Sequence, residues 1–331
     1  MEKSPTVDPA AGAGCGAGIA RIAVFRGPGG DADRIEITAE NGVCGRGQGR
    51  CAIAALQAHP KLVLGRSPFE AESIYDDVAA AGGDTAGGLD MAVWDLAGRL
   101  LSRPASALLG RRYRARVPAC ASFSGAQPPV GFRMWRLDAR CSDDLGRAFH
   151  CGLRHTAANL EEGLAAGAQL ENRALAFWQS PLPESDAAGY RRLRAELAIP
   201  IAAAGDCGSD ALIRDLVQSK SVDLVVSPIE RVGLTGLRRL AYYCWLFCVR
   251  LAVECSGSSV SISAALSAAA CFPPVTNAIA APPPFIVMPA DCHAAAQLDR
   301  DGMLAVADLP GLGCETAPLA GAPDIVLGEL P

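Results

Sequence analysis

The 331-residue sequence predicts an α/β protein made of a small α+β unit followed by a (β/α) barrel. Three observations carry this. Half of the residues are hydrophobic, enough for one large core or two smaller ones. Strand-like segments precede helix-like ones up to about residue 80, the order of an α+β layer pair. Beyond Arg116, short apolar runs alternate with helical stretches. That is the rhythm of parallel βα units, and their number suits a closed barrel better than an open sheet.

Taken in order, residues 1–18 read as a flexible arm of small residues, with acidic side chains and no apolar leader segment. Ile19–Phe25 and Arg34–Thr38 have strand composition, and Asn41-Gly42 offers a tight turn into a third strand. Ala52–His59 and Pro68–Val78 read as helices. In Gly88–Gly110, Leu89, Val93, Leu96 and Leu100 form an apolar helical stripe, with Asp90 and Asp95 off it. Pro104 fixes where the next segment starts, and Gly110 suits a helix end. Strands are then expected at Val117–Phe123, Phe132–Leu137, Leu175–Trp178, Ile199–Ala203, Val222–Val226 and Leu251–Cys255. Helices are expected at Ala188–Leu197, Asp210–Ser219 and Leu234–Phe247. In a parallel barrel the chemistry belongs at the C-terminal strand ends.

Composition excludes several functions. A net charge of −5 gives no electrostatic reason to expect nucleic acid or an anionic membrane as partner. Ser256 to Ala290 carries no charge, but serines and Pro273, Pro274 and Pro282–Pro284 interrupt it too often for a membrane span. A strand, a small helix and a loop fit it better. Thirteen cysteines without a CxxC pair point to reduced core thiols in a cytoplasmic protein rather than a zinc site. Asp291-Cys292-His293 packs three ligand types side by side, where they seldom converge on one ion. RGPGGDAD, with Gly27, Gly29 and Gly30, leads into a strand and lacks the lysine of a phosphate loop, so it reads as a turn.

The wording of several segments is more specific than their patterns. GLDMAVWDLAGRLLSRPASALLG resembles the segment joining cap to barrel in the mandelate racemase and muconate-lactonising branch of the enolase superfamily. TAENGVCGRGQ and LVLGRSPFEAESIYDDV resemble that branch's capping part, with Gln48 where a glutamate usually stands. RRYRARVPACAS is similar to its first barrel strand, FWQSPLPESDAAGYRRLRAELAIPIAAAGD to its fourth and fifth, and VDLVVSPIERVGLTGLRRLA to its sixth. LDRDGMLAVADLPGLGCE resembles the closing segment. GFRMWRLDAR followed by CSDDLGR is nearest to the acid-sugar (galactonate-type) dehydratases. The resemblance implies a capping domain over 19–112, a modified (β/α)7β-type TIM barrel over 113–300 and a C-terminal segment over 301–331. The chain between Asp138 and Asn159 is short for a full helix and strand, which leaves barrel closure open.

The resemblance also implies chemistry: abstraction of the proton α to a carboxylate, with Mg²⁺ on three strand-end carboxylates stabilising the enolate. The implied positions are altered. Ala157 takes the third-strand ligand place with Asn159 beyond it, Gln179 takes the fourth, and Asp206 keeps the fifth. Each lost carboxylate removes roughly 8 kcal/mol of attraction to a divalent ion, taking about 4 kcal/mol per unit charge pair at 4 Å and an effective dielectric near 20. Tight Mg²⁺ binding is therefore not expected. Arg136 and Asp138 occupy the second-strand acid–base places, where the guanidinium cannot act as a base. Pro228 and Glu254 replace the Asp and His of the strand six and seven dyad. If the third strand is regular, His155, Ala157 and Asn159 share one face.

Two readings follow. One is a non-catalytic descendant of an acid-sugar dehydratase or racemase. The other is an active lyase or isomerase with a rearranged acidic mouth, using Asp138, Gln179, Asp206, Glu230 and Glu254, with Cys207 or Cys255 as thiolates. There Asp206, Glu230 and Glu254 would hold a metal, Glu230 sharing a face with Pro228 on a continuing strand. A small carboxylate or acid sugar is the expected partner, and a homo-oligomer is left open.

Overall fold

The structure is a computed structural model that describes residues 17–27, 33–49, 51–82, 86–124, 129–139, 152–205, 210–273, 284–289, 292, 297–314 and 322–329. The chain divides into two compact units, one reaching Leu108 and resuming at Ala307, the other Leu109–Val306.

The first unit is built on β1 (Ile19–Phe25), β2 (Asp33–Ala39), β3 (Cys44–Gly49) and β13 (Ile325–Gly328), an antiparallel sheet in the order β13–β1–β2–β3. Helices α1 (Ile53–Ala58), α2 (Ala71–Gly82), α3 (Gly87–Leu100) and α4 (Ala105–Leu109) follow β3. Helix α3 packs directly on β3 because alternate strand residues Gly45 and Gly47 face it without side chains. A Cβ at Gly47 would overlap the Gly88 carbonyl oxygen and lie 2.8 Å from Ala92 N. The helix is consequently buried on nearly every side, including Asp90 and Asp95, which the apolar stripe alone places away from the core. Asp95 is fully buried because it is satisfied: it accepts from Arg46 N at 2.9 Å, Leu312 N at 2.7 Å and Arg99 Nε at 2.8 Å.

The second unit is an eight-stranded parallel barrel. Its strands are β4 (Arg116–Phe123), β5 (Met134–Asp138), β6 (Gly152–Arg154), β7 (Phe177–Gln179), β8 (Ile201–Ala204), β9 (Leu224–Pro228), β10 (Arg250–Glu254) and β11 (Ile286–Pro289), each paired with the next. Pairing of β11 with β4, from Ile286↔Ala119 to Pro289↔Ser122, closes the ring. The short stretch after Asp138 thus leaves the barrel complete. Strand β12 (Met303–Ala305) pairs antiparallel with the start of β4, from Arg116 to Pro118. Helices α5 (Leu160–Leu170), α6 (Ala187–Glu196), α7 (Asp210–Gln218), α8 (Ile229–Leu246) and α9 (Ser259–Cys271) follow β6 to β10. Within α8, Gly233 at φ 70° breaks the helix into a short first turn and a longer second segment. The charge-free stretch supplies α9, buried along most of its length, and β11. Among the described residues no helix is long and apolar enough to cross a membrane.

Strand alternation sorts the barrel into two cores. Cys120, Phe177, Ala202, Leu224, Val226, Ala252, Phe285 and Val287 form the inner one. Leu137, Leu153, Trp178, Leu170, Leu175 and Ile199 form one between strands and helices. Gly152 faces inward opposite Phe177, whose ring fills the space a side chain at 152 would take. This parity decides which residues reach the C-terminal end of the barrel.

Candidate functional site

By that parity Ser122, Asp138, Arg154, Gln179 and Glu254 project inward at the C-terminal strand ends, with Arg136 one layer deeper on β5. Arg136 is the hub. Its side chain is 1% exposed and donates from Nε to Asp138 Oδ1 at 2.9 Å and from Nη1 to Gln179 Oε1 at 2.9 Å. From Nη2 it donates to Ser122 Oγ at 3.0 Å and Glu254 Oε1 at 2.6 Å. One guanidinium thus gathers oxygens from β4, β5, β7 and β10. Burial alone would lower the Arg136 pKa, but the Glu254 and Asp138 carboxylates outweigh it and push it up, so the charge is held firmly.

Arg154 is the second cation, its side chain 43% exposed. It stands directly across from Asp138 in the β5–β6 register and from Gln179 in the β6–β7 register. It donates to Asp138 Oδ2 at 3.1 Å and Glu254 Oε1 at 3.3 Å. Ser122 Oγ also donates to Asp138 Oδ2. Among the described residues of the mouth, two guanidiniums and two carboxylates therefore balance. In a ring of eight strands β6 and β10 are opposite one another, so the Arg154–Glu254 pair spans the mouth.

Of the residues singled out in the sequence, Arg136, Asp138, Gln179 and Glu254 meet here. Asn159 does not: it caps α5, accepting from Glu162 N at 3.0 Å. The third strand ends at Arg154 rather than running through Ala157. Beyond it, His155 N donates to Gln179 O at 3.4 Å and Ala157 N to Pro181 O at 2.9 Å, continuing the ladder with those residues on the opposite parity to Arg154. Ala157 is buried and His155 does not share the inward face. Glu230 belongs to the first turn of α8, since the strand stops at Pro228. Its Oε1 accepts from Ser256 N at 2.6 Å, and burial raises its pKa despite that donor. Asp206 and Cys207 lie outside the described residues, as do Asp291 and His293, Gly29 and Gly30, and residues 1–16 of the N-terminal arm. Cys255 faces away from the mouth, donates to Val287 O and has its pKa pushed well up by burial, so it is a thiol rather than a thiolate.

Ser122 and Arg154 are the participants the sequence reading missed. Reading the third strand from Asn159 put it several residues late. The apolar–charged step Leu153-Arg154, one interval before Trp178-Gln179, is the signal that would have placed it.

The described residues of this mouth, which do not include Asp206, do not fit a divalent cation. Among the described residues no three His, Cys, Asp or Glu side chains converge for a metal ion. The one neutral oxygen on the fourth strand, Gln179 Oε1, already accepts from Arg136. Each guanidinium at such range would repel a divalent ion by roughly 8 kcal/mol at an effective dielectric near 20.

The profile of the family described as enolase C-terminal domain-like matches residues 153–320. Among solved structures, the chain is similar to the 3,6-anhydro-D-galactonate cycloisomerase from Zobellia galactanivorans, at 20% identity over 90% of this chain and 95% of that one, TM-score 0.74. A mandelate racemase/muconate lactonizing protein from Paracoccus denitrificans PD1222, complexed with magnesium, aligns at 19% identity over 90% and 93%, TM-score 0.73. An enolase protein from environmental sequencing of the Sargasso Sea aligns at 19% identity over 95% and 99%, TM-score 0.75. At these identities the structures speak for the fold, and the family match speaks for descent. Together with the closed barrel and its strand-end site, they make this chain a member of the enolase superfamily, in its mandelate racemase/muconate-lactonising branch.

Proposed function

We propose that this chain is a non-catalytic member of its superfamily, descended from proteins that abstract the proton α to the carboxylate of a hydroxy-acid, in the acid-sugar class. The observation that carries the reading is the buried Arg136 guanidinium, which occupies both acids and the amide oxygen of the mouth at once. Proton abstraction needs a base with an open lone pair and an electrophile for the enolate. The two oxygens of Asp138 accept from Arg136, Arg154 and Ser122, so a substrate proton competes with three donors already in place. Glu254 accepts from two guanidiniums through Oε1, so protonating this carboxylate would weaken both ion pairs. Gln179 offers no charge, and its Nε2 is buried without a partner among the described residues.

The test is proton exchange. Acid sugars of the galactonate and gluconate type, incubated with the protein and Mg²⁺ or Mn²⁺ in D₂O, are expected to keep their α-proton by NMR and yield no dehydrated or isomerised product. Turnover at ordinary enzymatic rates, on the order of 1 s⁻¹ or faster, overturns the proposal. The second reading, a lyase or isomerase with a rearranged acidic site, is supported by the partial exposure of Asp138 and Glu254, at 22% and 24% of their side chains. It requires that any turnover vanish in both D138N and E254Q.

A further inference from the structure

The oxygens around Arg136 form the kind of shell a hard cation takes. Ser122 Oγ, Asp138 Oδ1, Gln179 Oε1 and Glu254 Oε1 come from four different strands and lie 2.6–3.0 Å from its nitrogens. The amide of Gln179 supplies an independent sign of what the shell is tuned to. Its oxygen is turned onto the guanidinium although this leaves its buried NH₂ without a partner. A buried donor left dry is costly, so the contact it secures has to outweigh it.

We infer that Arg136 is a tethered cation that replaces a divalent metal at this mouth, balancing Asp138 and Glu254 so that the barrel end is held together without an ion. Position, charge and geometry each contribute. The guanidinium grows from β5, one residue layer below the strand ends, so it enters the mouth from beneath and its charge cannot be chelated away. Its planar fork reaches four acceptors in different directions, which a lysine ammonium on a single point could not do at once. Arg154 completes the balance from above, pairing with the same two acids at the solvent side. The acids and the amide oxygen are thus a cation site already filled by the chain itself.

This inference does not depend on the absence of turnover. A chain that turned over an acid sugar without metal would refute the proposed function and leave the tethered cation standing. The experiment is thermal melting of the full chain with and without millimolar Mn²⁺, together with Mn²⁺ binding followed by EPR. The wild type is expected to melt at the same temperature with and without the ion. R136A is expected to melt roughly 5–15 °C lower, as for a broken buried ion pair, and to recover part of that loss with Mn²⁺ while binding it by EPR. An R136A protein indifferent to Mn²⁺ overturns the inference, and so does a wild type that Mn²⁺ stabilises as strongly as the variant. If R136A stays unfolded with or without Mn²⁺, the neutralised protein R136M/D138N/E254Q decides. It folds if Arg136 serves as counter-charge, and remaining unfolded refutes that role.

Discussion

Replacing Gly152 with alanine probes the floor on which the arginine cluster rests. The backbone accepts the change, because Gly152 is not among the positive-φ glycines. The side chain does not fit. A Cβ at 152 would overlap Phe177 Cζ and lie 2.7 and 2.8 Å from Cε1 and Cε2, where carbon contacts relax at about 3.5–4.0 Å. The ring must therefore retreat by about 1 Å. It is fully enclosed: Phe285 stands 6.0 Å away between centroids, and Cys120, Ala202, Leu224 and Val226 belong to the same inner core. Arg136 is the register partner of Gly152 across the β5–β6 pair, so a displaced ring presses toward the guanidinium layer. Overpacking of this kind costs about 1–3 kcal/mol, and the lower entropy of an unfolded alanine offsets some 0.4–1 of it. A net loss of about 1–2 kcal/mol lowers the melting temperature by roughly 2–8 °C. Urea and thermal melts of G152A, F177L and the double variant read it. In the double variant the added methyl occupies space the ring has vacated, so it should be more stable than the sum of the single losses by about 1 kcal/mol or more. A G152A protein within about 0.5 kcal/mol of wild type, or a strictly additive double variant, refutes the steric account.

Three further outcomes are expected. D95A removes the acceptor for Arg46 N, Leu312 N and Arg99 at once, in a place with no solvent to replace it, and should cost about 3–5 kcal/mol by urea unfolding. Burial raises the Glu230 pKa, so the folded chain keeps that proton to higher pH than the unfolded one. The stability this contributes is present below the ordinary carboxylate value of about 4.3 and lost as pH rises through the raised value. Wild-type stability minus that of E230Q should accordingly fall with rising pH, and a flat difference counts against the assignment. Glu254 has two ties of unequal depth, Arg136 at 1% exposure and 2.6 Å and Arg154 at 43% and 3.3 Å. Double-variant cycles of E254Q with R154A should give a coupling below about 1 kcal/mol, and with R136M a coupling at least about twice as large. Equal couplings would mean that depth does not set their strength.

Much of the framework was legible because it is local. Apolar runs bounded by turns placed β4, β8, β9 and β10 to within about two residues, and the helical stripe of Leu89, Val93, Leu96 and Leu100 marked α3. What escaped were decisions settled by neighbours in space. The stripe gives no sign that α3 would be buried all round, since that depends on Gly45 and Gly47 of another element letting it close onto β3. An asparagine that caps a helix and one that ends a ligand-bearing strand look alike in a single sequence, which is why Asn159 drew the third strand too far along. A one-residue error of parity then exchanges His155 for Arg154 at the mouth. Glu230 was misplaced for a related reason: whether a strand continues past a proline depends on what receives the chain, and here α8 begins at once.

The cluster itself shows the deeper limit. Arg136 and Glu254 are 118 residues apart, and they meet only because β11 returns to β4 and closes the ring. Read one position at a time against the resemblance, Gln179, Glu254 and Arg136 are three separate departures from an expected carboxylate, histidine and base. Read together, the same residues compensate one another. Glu254 and Asp138 bring two negative charges, and Arg136 and Arg154 hold two positive charges against them. Changing any one residue alone would unbalance the set. A glutamate at 179 would bring a third carboxylate to two guanidiniums, and a histidine at 254 would leave Arg136 with Asp138 as its only carboxylate partner among the described residues. The mouth is therefore a coupled unit, in which the charge on one member sets what the others can carry.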